Sequence, residues 1–219
     1  HRDLHVWSRR QRQMCIRDSA SAAVNAKQIL ATYGIDIPIV TTLHGTDITL
    51  LGKDKSFKPV IEYAINMSDA VTVVSGNLKR ETLEHFNIKN EIITIPNFID
   101  MSLYQYKEDM KLRNQFAKKD EFILTHISNF RKVKRVEDVV NIFNKVSKEI
   151  PAKLLMIGDG PERLKAEQLC RQLSITKKVK FLGKLKMIEK VLSISYVFIL
   201  PSETESFGLV ALEAMASKT

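Results

Sequence analysis

Residues 196–217 read YVFILPSETESFGLVALEAMAS. Val197, Phe198, Ile199 and Leu200 form a short apolar run that Pro201 ends; a polar loop over 202–206 follows, and then a stretch rich in Ala, Leu and Met. That order predicts a buried parallel strand, a loop at its C-terminal edge and a helix. Open α/β sheets bind ligands at this edge, where the first turn of a helix offers unpaired N–H groups to anions. Glu205 stands at the predicted helix start and Glu213 comes eight residues later, slightly more than two turns, so both are expected on roughly one face. Between them, Phe207, Gly208 and Leu209 put a glycine where a backbone N–H can approach a ligand closely. The arrangement suits a ligand with an anionic centre and hydroxyl groups at either end, such as a sugar nucleotide. The same residues also allow a plainer reading, with an acid favoured by the helix dipole and a second glutamate on a solvated face.

Working outward, the 219 residues leave room for one large domain or two small ones. A hydrophobic fraction of 44% is ordinary for a globular core. No run of eighteen apolar residues occurs, so no transmembrane helix is expected. Cys15 and Cys170 are far apart and have no metal-ligand spacing, which fits a reducing, cytoplasmic setting. The formal net charge of +9 could serve nucleic acid, an anionic surface or a small anionic substrate. Dispersed lysines, without an arginine-rich stripe or interleaved aromatics, argue against nucleic acid. A positive field favours the small anion.

Residues 1–19, HRDLHVWSRRQRQMCIRDS, use Arg where the rest of the chain uses mostly Lys, and they hold no apolar core of a signal peptide. They are read as a non-native leader outside the fold. A helix is predicted over 20–33, stopped by Gly34, and a strand over 38–42, followed by Leu43, His44, Gly45, Thr46 and Asp47. A polar cluster just after a buried strand is where an α/β fold carries function, although His44 alone can be structural and Asp47 a turn cap. A helix over 57–67, a strand over 70–74, a helix from Ser75 to residue 86 and a strand over 92–95 complete three β/α steps. Those steps predict a doubly wound parallel sheet. The first strand and Gly-rich turn of a full Rossmann-like domain have no counterpart ahead of residue 20. Residues 101–120 are polar and weakly periodic, with a short helix expected over 110–116. The rhythm then restarts with strands over 122–127, 153–157, 179–182 and 197–200, separated by helices over 136–148, 162–173 and 187–193.

Two further stretches bear on chemistry. Residues 128–135, SNFRKVKR, place four cations in a loop at the C-terminal edge of a strand. They could neutralise a diphosphate or simply stand in solvent. Gly158-Asp159-Gly160-Pro161 is a tight turn into a helix.

The stretch PSETESFGLVALEAMA resembles the Glu-x7-Glu motif of family 4 retaining glycosyltransferases, enzymes with two facing Rossmann-like domains (the GT-B fold). Glu-Ser-Phe-Gly-Leu followed by Glu-Ala-Met-Ala is the specific part of that resemblance. It implies an α/β chain of two doubly wound parallel-sheet domains, truncated at both ends. Residues 20–105 would be half of the acceptor-side domain, 106–120 the connection and 121–219 an incomplete UDP-sugar domain. Lys134 matches the family's phosphate-binding Lys; Asn129 stands where the family has Arg, so Arg131 is expected to supply that charge. Gly158 and Gly160 match a Gly-x-Gly-Pro turn lining the nucleotide pocket, with the backbone at 181–183 near the base. Glu213 would hold the ribose, Glu205 a sugar hydroxyl, and Phe207, Gly208 and Leu209 would meet sugar and phosphate. His44, Thr46, Asp47 and Asn97 fall on the acceptor side, and His44, Arg131, Lys134 and Glu205 are the expected catalytic set.

The resemblance implies transfer with retention, in which the acceptor hydroxyl attacks from the leaving group's face and a phosphate oxygen takes its proton. The two glutamates are then ligand holders rather than the acid/base pair of a hydrolase. No Asp-x-Asp occurs, in keeping with transfer that uses no metal and no cofactor. TTLHGTDITLLG, VTVVSGNLKRET, IPNFID and SNFRKVKRVEDV further resemble a subfamily that joins N-acetylglucosamine from UDP to L-malate in bacillithiol biosynthesis. The resemblance covers residues 20–217. A relative with a lipid or polysaccharide acceptor and a non-catalytic nucleotide-sugar-binding module are the alternatives, and a homodimer is left open. With half of the acceptor-side domain outside it, the chain alone is expected to turn over little.

Overall fold

The computed structural model describes residues 16–45, 48, 56–104 and 109–219, with side chains described from Ala20 onward. The chain divides into two units, His1–Asn97 and Phe98–Thr219.

In the first unit, α1 (Ile16–Ala31), β1 (Val40–Leu43), α2 (Lys58–Asn66), β2 (Ala70–Val73), α3 (Gly76–His85) and β3 (Ile92–Thr94) follow one another. The three strands form a parallel sheet in the order β1-β2-β3. β2 is central, and its Val71, Thr72 and Val73 are all buried, as a strand covered on both faces requires. Ser75 caps α3 by accepting the Leu78 N–H at 3.2 Å, and Pro59 sits in the first turn of α2, where its missing N–H costs no bond. Asp69 accepts both the Ile39 N–H and the Lys27 ammonium at 2.6 Å, tying α1 to the start of β1. α1 begins at Ile16, ahead of the expected start at residue 20, and so reaches into the stretch read as a leader. Residues 1–15 lie outside the described residues.

The second unit contains α4 (Met110–Asn114), β4 (Phe122–Ile127), a 3-10 turn (Lys132–Lys134), α5 (Val136–Glu149), β5 (Ala152–Ile157) and α6 (Arg163–Gln172). β6 (Val179–Gly183), α7 (Ile188–Leu192), β7 (Val197–Phe198) and α8 (Leu209–Ala216) complete it. Its sheet is parallel with the order β6-β5-β4-β7. The chain runs outward from β4 to β6 and then returns to the other side of β4. β4 and β7 therefore flank a topological switch point, and their C-terminal ends open a crevice.

Alternation along β4 and β5 divides the core. Leu124, Leu154 and Met156 pack with Phe130, Val139, Val140 and Phe143 on one face. Ile123, Ile127, Leu155 and Ile157 pack with Val191, Leu192 and Ala214 on the other.

Two expectations around β7 and α8 are corrected. The strand expected over 197–200 is paired only at Val197 and Phe198. The Ile199 N–H still bonds the Thr125 carbonyl at 2.9 Å, but the Ile199 carbonyl is taken by the ring of His126, and Pro201 has no N–H to continue the ladder. The helix does not start at Glu205. Gly208 caps it in a left-handed conformation, φ +79°, so residues 202–207 remain a loop and Glu205 stands outside α8. The expected sharing of one helical face by Glu205 and Glu213 therefore fails.

Candidate functional site

The site grows from the end of β4. His126 is fully buried, with Nδ1 at 2.8 Å from the Ile199 carbonyl and Nε2 at 2.8 Å from Ser128 Oγ. A carbonyl only accepts, so Nδ1 carries the proton and the Ser128 hydroxyl donates to Nε2. Burial pushes the His126 pKa below its ordinary value, in line with a neutral ring. Ser128 Oγ in turn accepts the Phe130 N–H at 3.2 Å. Phe130 is buried in the core with φ +39°, turning the chain into the 3-10 segment that carries Lys134.

Opposite this loop stands the loop before α8. The Glu203 N–H donates to the Val133 carbonyl at 2.9 Å, and Lys134 Nζ is 2.6 Å from Glu205 Oε1, both side chains partly buried. Arg135 pairs with Asp138 and lies 4.0 Å from Glu203. A third wall comes from β5. A Cβ on Gly158 would sit 1.7 Å from the Ser128 carbonyl oxygen, and one on Gly160 would sit 2.1 Å from that of Asn129. The Gly-x-Gly spacing is thus imposed by backbone packed against backbone. The Glu162 N–H bonds the Phe130 carbonyl at 2.9 Å and the Gly158 N–H bonds the Gly183 carbonyl at 2.8 Å, so the three loops hold one another.

They enclose a cavity of about 420 Å³ walled by Ser128, Asn129, Lys134, Gly158, Asp159, Lys184, Leu200, Glu205, Gly208 and Leu209. Its charges do not all cancel. Lys134 faces Glu205, and Asp159 accepts the Gly160 N–H at 2.9 Å with Arg163 3.7 Å away. No carboxylate lies within ion-pair distance of Lys184 among the described residues. The cavity therefore carries an uncompensated cation beside the N-terminal turn of an eight-residue helix, an environment for an anion.

Of the residues expected from the sequence, Lys134, Gly158, Glu205, Gly208 and Leu209 are brought together on this wall. Gly160 is not on this wall; it packs on the backbone of Asn129. Arg131 is exposed and stands off the wall, as does Phe207. Glu213 is 8% exposed on α8, off the wall, and its Oε1 accepts the Tyr104 hydroxyl at 2.7 Å. Burial, and to a lesser degree the charge of Glu189, pushes its pKa up, while the Tyr104 bond opposes that rise. His44 and Asn97 belong to the first unit, the one directly after β1 and the other three residues after β3, at the C-terminal edge of that sheet. Thr46 and Asp47 lie outside the described residues. Sequence reasoning missed Lys184, Ser128, Tyr104 and His126. A cation directly after a strand-ending glycine was the available signal for Lys184; Tyr104 had none.

Among the described residues no cluster of His, Cys, Asp and Glu could hold a metal ion, and no helix is long and apolar enough to cross a membrane. The family model for glycosyl transferases group 1 matches residues 108–219, and that for glycosyltransferase family 4 matches residues 16–103. N-acetyl-alpha-D-glucosaminyl L-malate synthase of Bacillus anthracis is 50% identical over 199 residues, covering 90% of this chain and 51% of that protein. An uncharacterized glycosyltransferase of Methanocaldococcus jannaschii is 29% identical over 197 residues, covering 84% of this chain and 50% of its own. The crystal structure of Anabaena Alr3699/HepE in complex with UDP superposes with a TM-score of 0.76 at 20% identity, over 92% of this chain and 56% of that one. That likeness shows the fold. The chain spans about half the length of the curated relatives it matches.

Proposed function

The chain belongs to the group 1 glycosyl transferases, and we propose that it serves in moving N-acetylglucosamine from UDP-N-acetylglucosamine to the hydroxyl of L-malate with retention of configuration. The observation that carries the donor half is the cavity at the switch point, where Lys134 meets Glu205 at 2.6 Å and Lys184 has no acidic partner among the described residues. The 50% identity to a synthase that acts on L-malate supports the acceptor half.

In this reading the donor's diphosphate lies between Lys134, Lys184 and the first turn of α8. As the bond from the anomeric carbon to the β-phosphate oxygen breaks, these fixed positive groups face the charge that develops on the leaving group. A new bond forms from the anomeric carbon to the malate oxygen, and the hydroxyl proton passes to the departing phosphate oxygen. Glu205 turns from Lys134 toward a sugar hydroxyl, Glu213 takes the ribose, and Arg131 adds charge from outside the wall. His44, Thr46, Asp47 and Asn97 are proposed for the acceptor side. No step calls on a metal or cofactor, and a cytoplasmic location belongs to the same proposal.

The test measures UDP release from UDP-N-acetylglucosamine, with and without L-malate, in a protein of the relatives' full length that carries these residues. Malate-dependent release is the expected result. Release that responds to a diacylglycerol or polysaccharide acceptor and ignores malate would replace the acceptor.

A further inference from the structure

We propose that Tyr104 is a positioning residue for the carboxylate of Glu213, fixing it to receive the ribose hydroxyls of a nucleoside diphosphate; the inference rests on the donor reading above. Tyr104 belongs to the turn that precedes α4, 109 positions before its partner, and it packs against the same core face as Leu112, Phe116 and Ala214. Its turn is itself held. Asp100 accepts the Ser102 N–H at 2.9 Å and the Ser102 hydroxyl at 2.7 Å, and the Tyr104 N–H reaches the Met101 carbonyl at 3.3 Å. The phenol therefore comes from an ordered backbone, and its hydroxyl donates to Glu213 Oε1 at 2.7 Å.

An acid at position 213 needs an explanation of this kind. α8 is otherwise apolar from Leu209 to Ala216, and a hydrocarbon side chain at this buried position would carry no desolvation cost. A buried carboxylate is costly unless hydrogen-bonded, and the phenol supplies one such bond. A carboxylate has about four lone-pair sites, so one bond to Tyr104 leaves acceptor capacity for two hydroxyl donors. Position matters as well. Leu209 is on the cavity wall, and Glu213 lies four residues further along α8, about 6 Å by helical rise. A ligand whose diphosphate sits at Lys134 and Lys184 extends its nucleoside over a distance of that order. The chemical feature that a fixed carboxylate reads is a vicinal diol, so the ligand class is a ribonucleotide rather than a deoxyribonucleotide.

The experiment compares calorimetric binding of UDP and 2′-deoxy-UDP to the parent chain, to Tyr104→Phe, to Glu213→Gln and to the double variant, each checked by thermal melting. The parent is expected to prefer UDP by about tenfold, the worth of one hydrogen bond to a charged group. Tyr104→Phe should shrink that preference to about threefold, chiefly through weaker UDP binding, with 2′-deoxy-UDP nearly unchanged. Glu213→Gln should lose the preference, and the double variant should go no further than Glu213→Gln alone. If Tyr104→Phe weakens both nucleotides equally, or leaves the preference intact, Tyr104 does not position the carboxylate and the inference falls while the donor reading stands. A parent that binds neither nucleotide overturns the donor reading and this inference with it.

Discussion

The two glutamates of the stretch over 205–213 occupy opposite environments. Glu205 stands in a loop at the cavity with a lysine 2.6 Å away; Glu213 is buried in a helix with a phenol 2.7 Å away. The first contact is a charge pair that a ligand can open, since a phosphate can replace the carboxylate at Lys134 and a sugar hydroxyl can replace the ammonium at Glu205. The second is a neutral donor bonded to a desolvated acid, and it orients that acid without cancelling it. Gly208 makes the difference. Its left-handed backbone caps α8 three residues after Glu205, so the two acids leave the chain from different structures rather than from one helical face. One end of the motif is a charge pair at a cavity and the other a hydrogen-bonded acid buried in a helix.

The largest expected effect strikes what both ends depend on. Gly158→Ala would drive a Cβ to within 1.7 Å of the Ser128 carbonyl, with φ at +124° besides. We expect a loss of at least about 3 kcal/mol and a melting temperature lower by roughly 10 °C, with nucleotide binding abolished at both ends. A variant that melts with the parent would show that the loops are not mutually supported. Next in size is Glu213→Ala, expected to weaken UDP and uridine alike by about tenfold, because both carry the ribose. A loss confined to UDP would move Glu213 to the phosphate and erase the contrast between the ends.

Lys184→Ala is expected to cost UDP only about threefold, since the side chain is exposed, and the deficit should fade as salt is raised. A salt-independent loss would mean that Lys184 contributes by packing rather than charge. The smallest effect is a pH dependence. The Glu213 carboxyl is held above its ordinary 4.5 by burial, so the native state binds that proton more tightly than the unfolded chain. Its contribution to stability is present below about pH 4.5 and is lost as pH rises through the native value. Across that window the melting temperature of Glu213→Gln should improve relative to the parent. A constant offset would show that the acid is not desolvated.

The alternation of apolar runs, polar loops and amphipathic stretches made the parallel α/β architecture legible, and most strand and helix ends fell within a residue or two of their expected places. These features arise from local periodicity and turn chemistry, which one chain carries on its face. What was hidden depends on partners distant in sequence. β7 ended early because His126, 73 positions away, takes the Ile199 carbonyl. Gly158 lines the cavity, but that Gly158 and Gly160 are also required by the backbones of Ser128 and Asn129 is a packing relation invisible without the fold. An acid before an apolar run looks like a helix N-terminus, and only the φ of Gly208 shows where α8 begins. Tyr104 sits in a polar, weakly periodic stretch, and nothing nearby in the chain points to residue 213.

That the cavity grips a diphosphate is tested most directly by calorimetry on the parent and on Lys134→Ala, each titrated with UDP and with uridine. The parent should bind UDP at least about tenfold more tightly than uridine, and Lys134→Ala should remove most of that advantage while leaving uridine almost untouched. Equal affinity of the parent for the two ligands, or an advantage for UDP that survives the loss of Lys134, would contradict it.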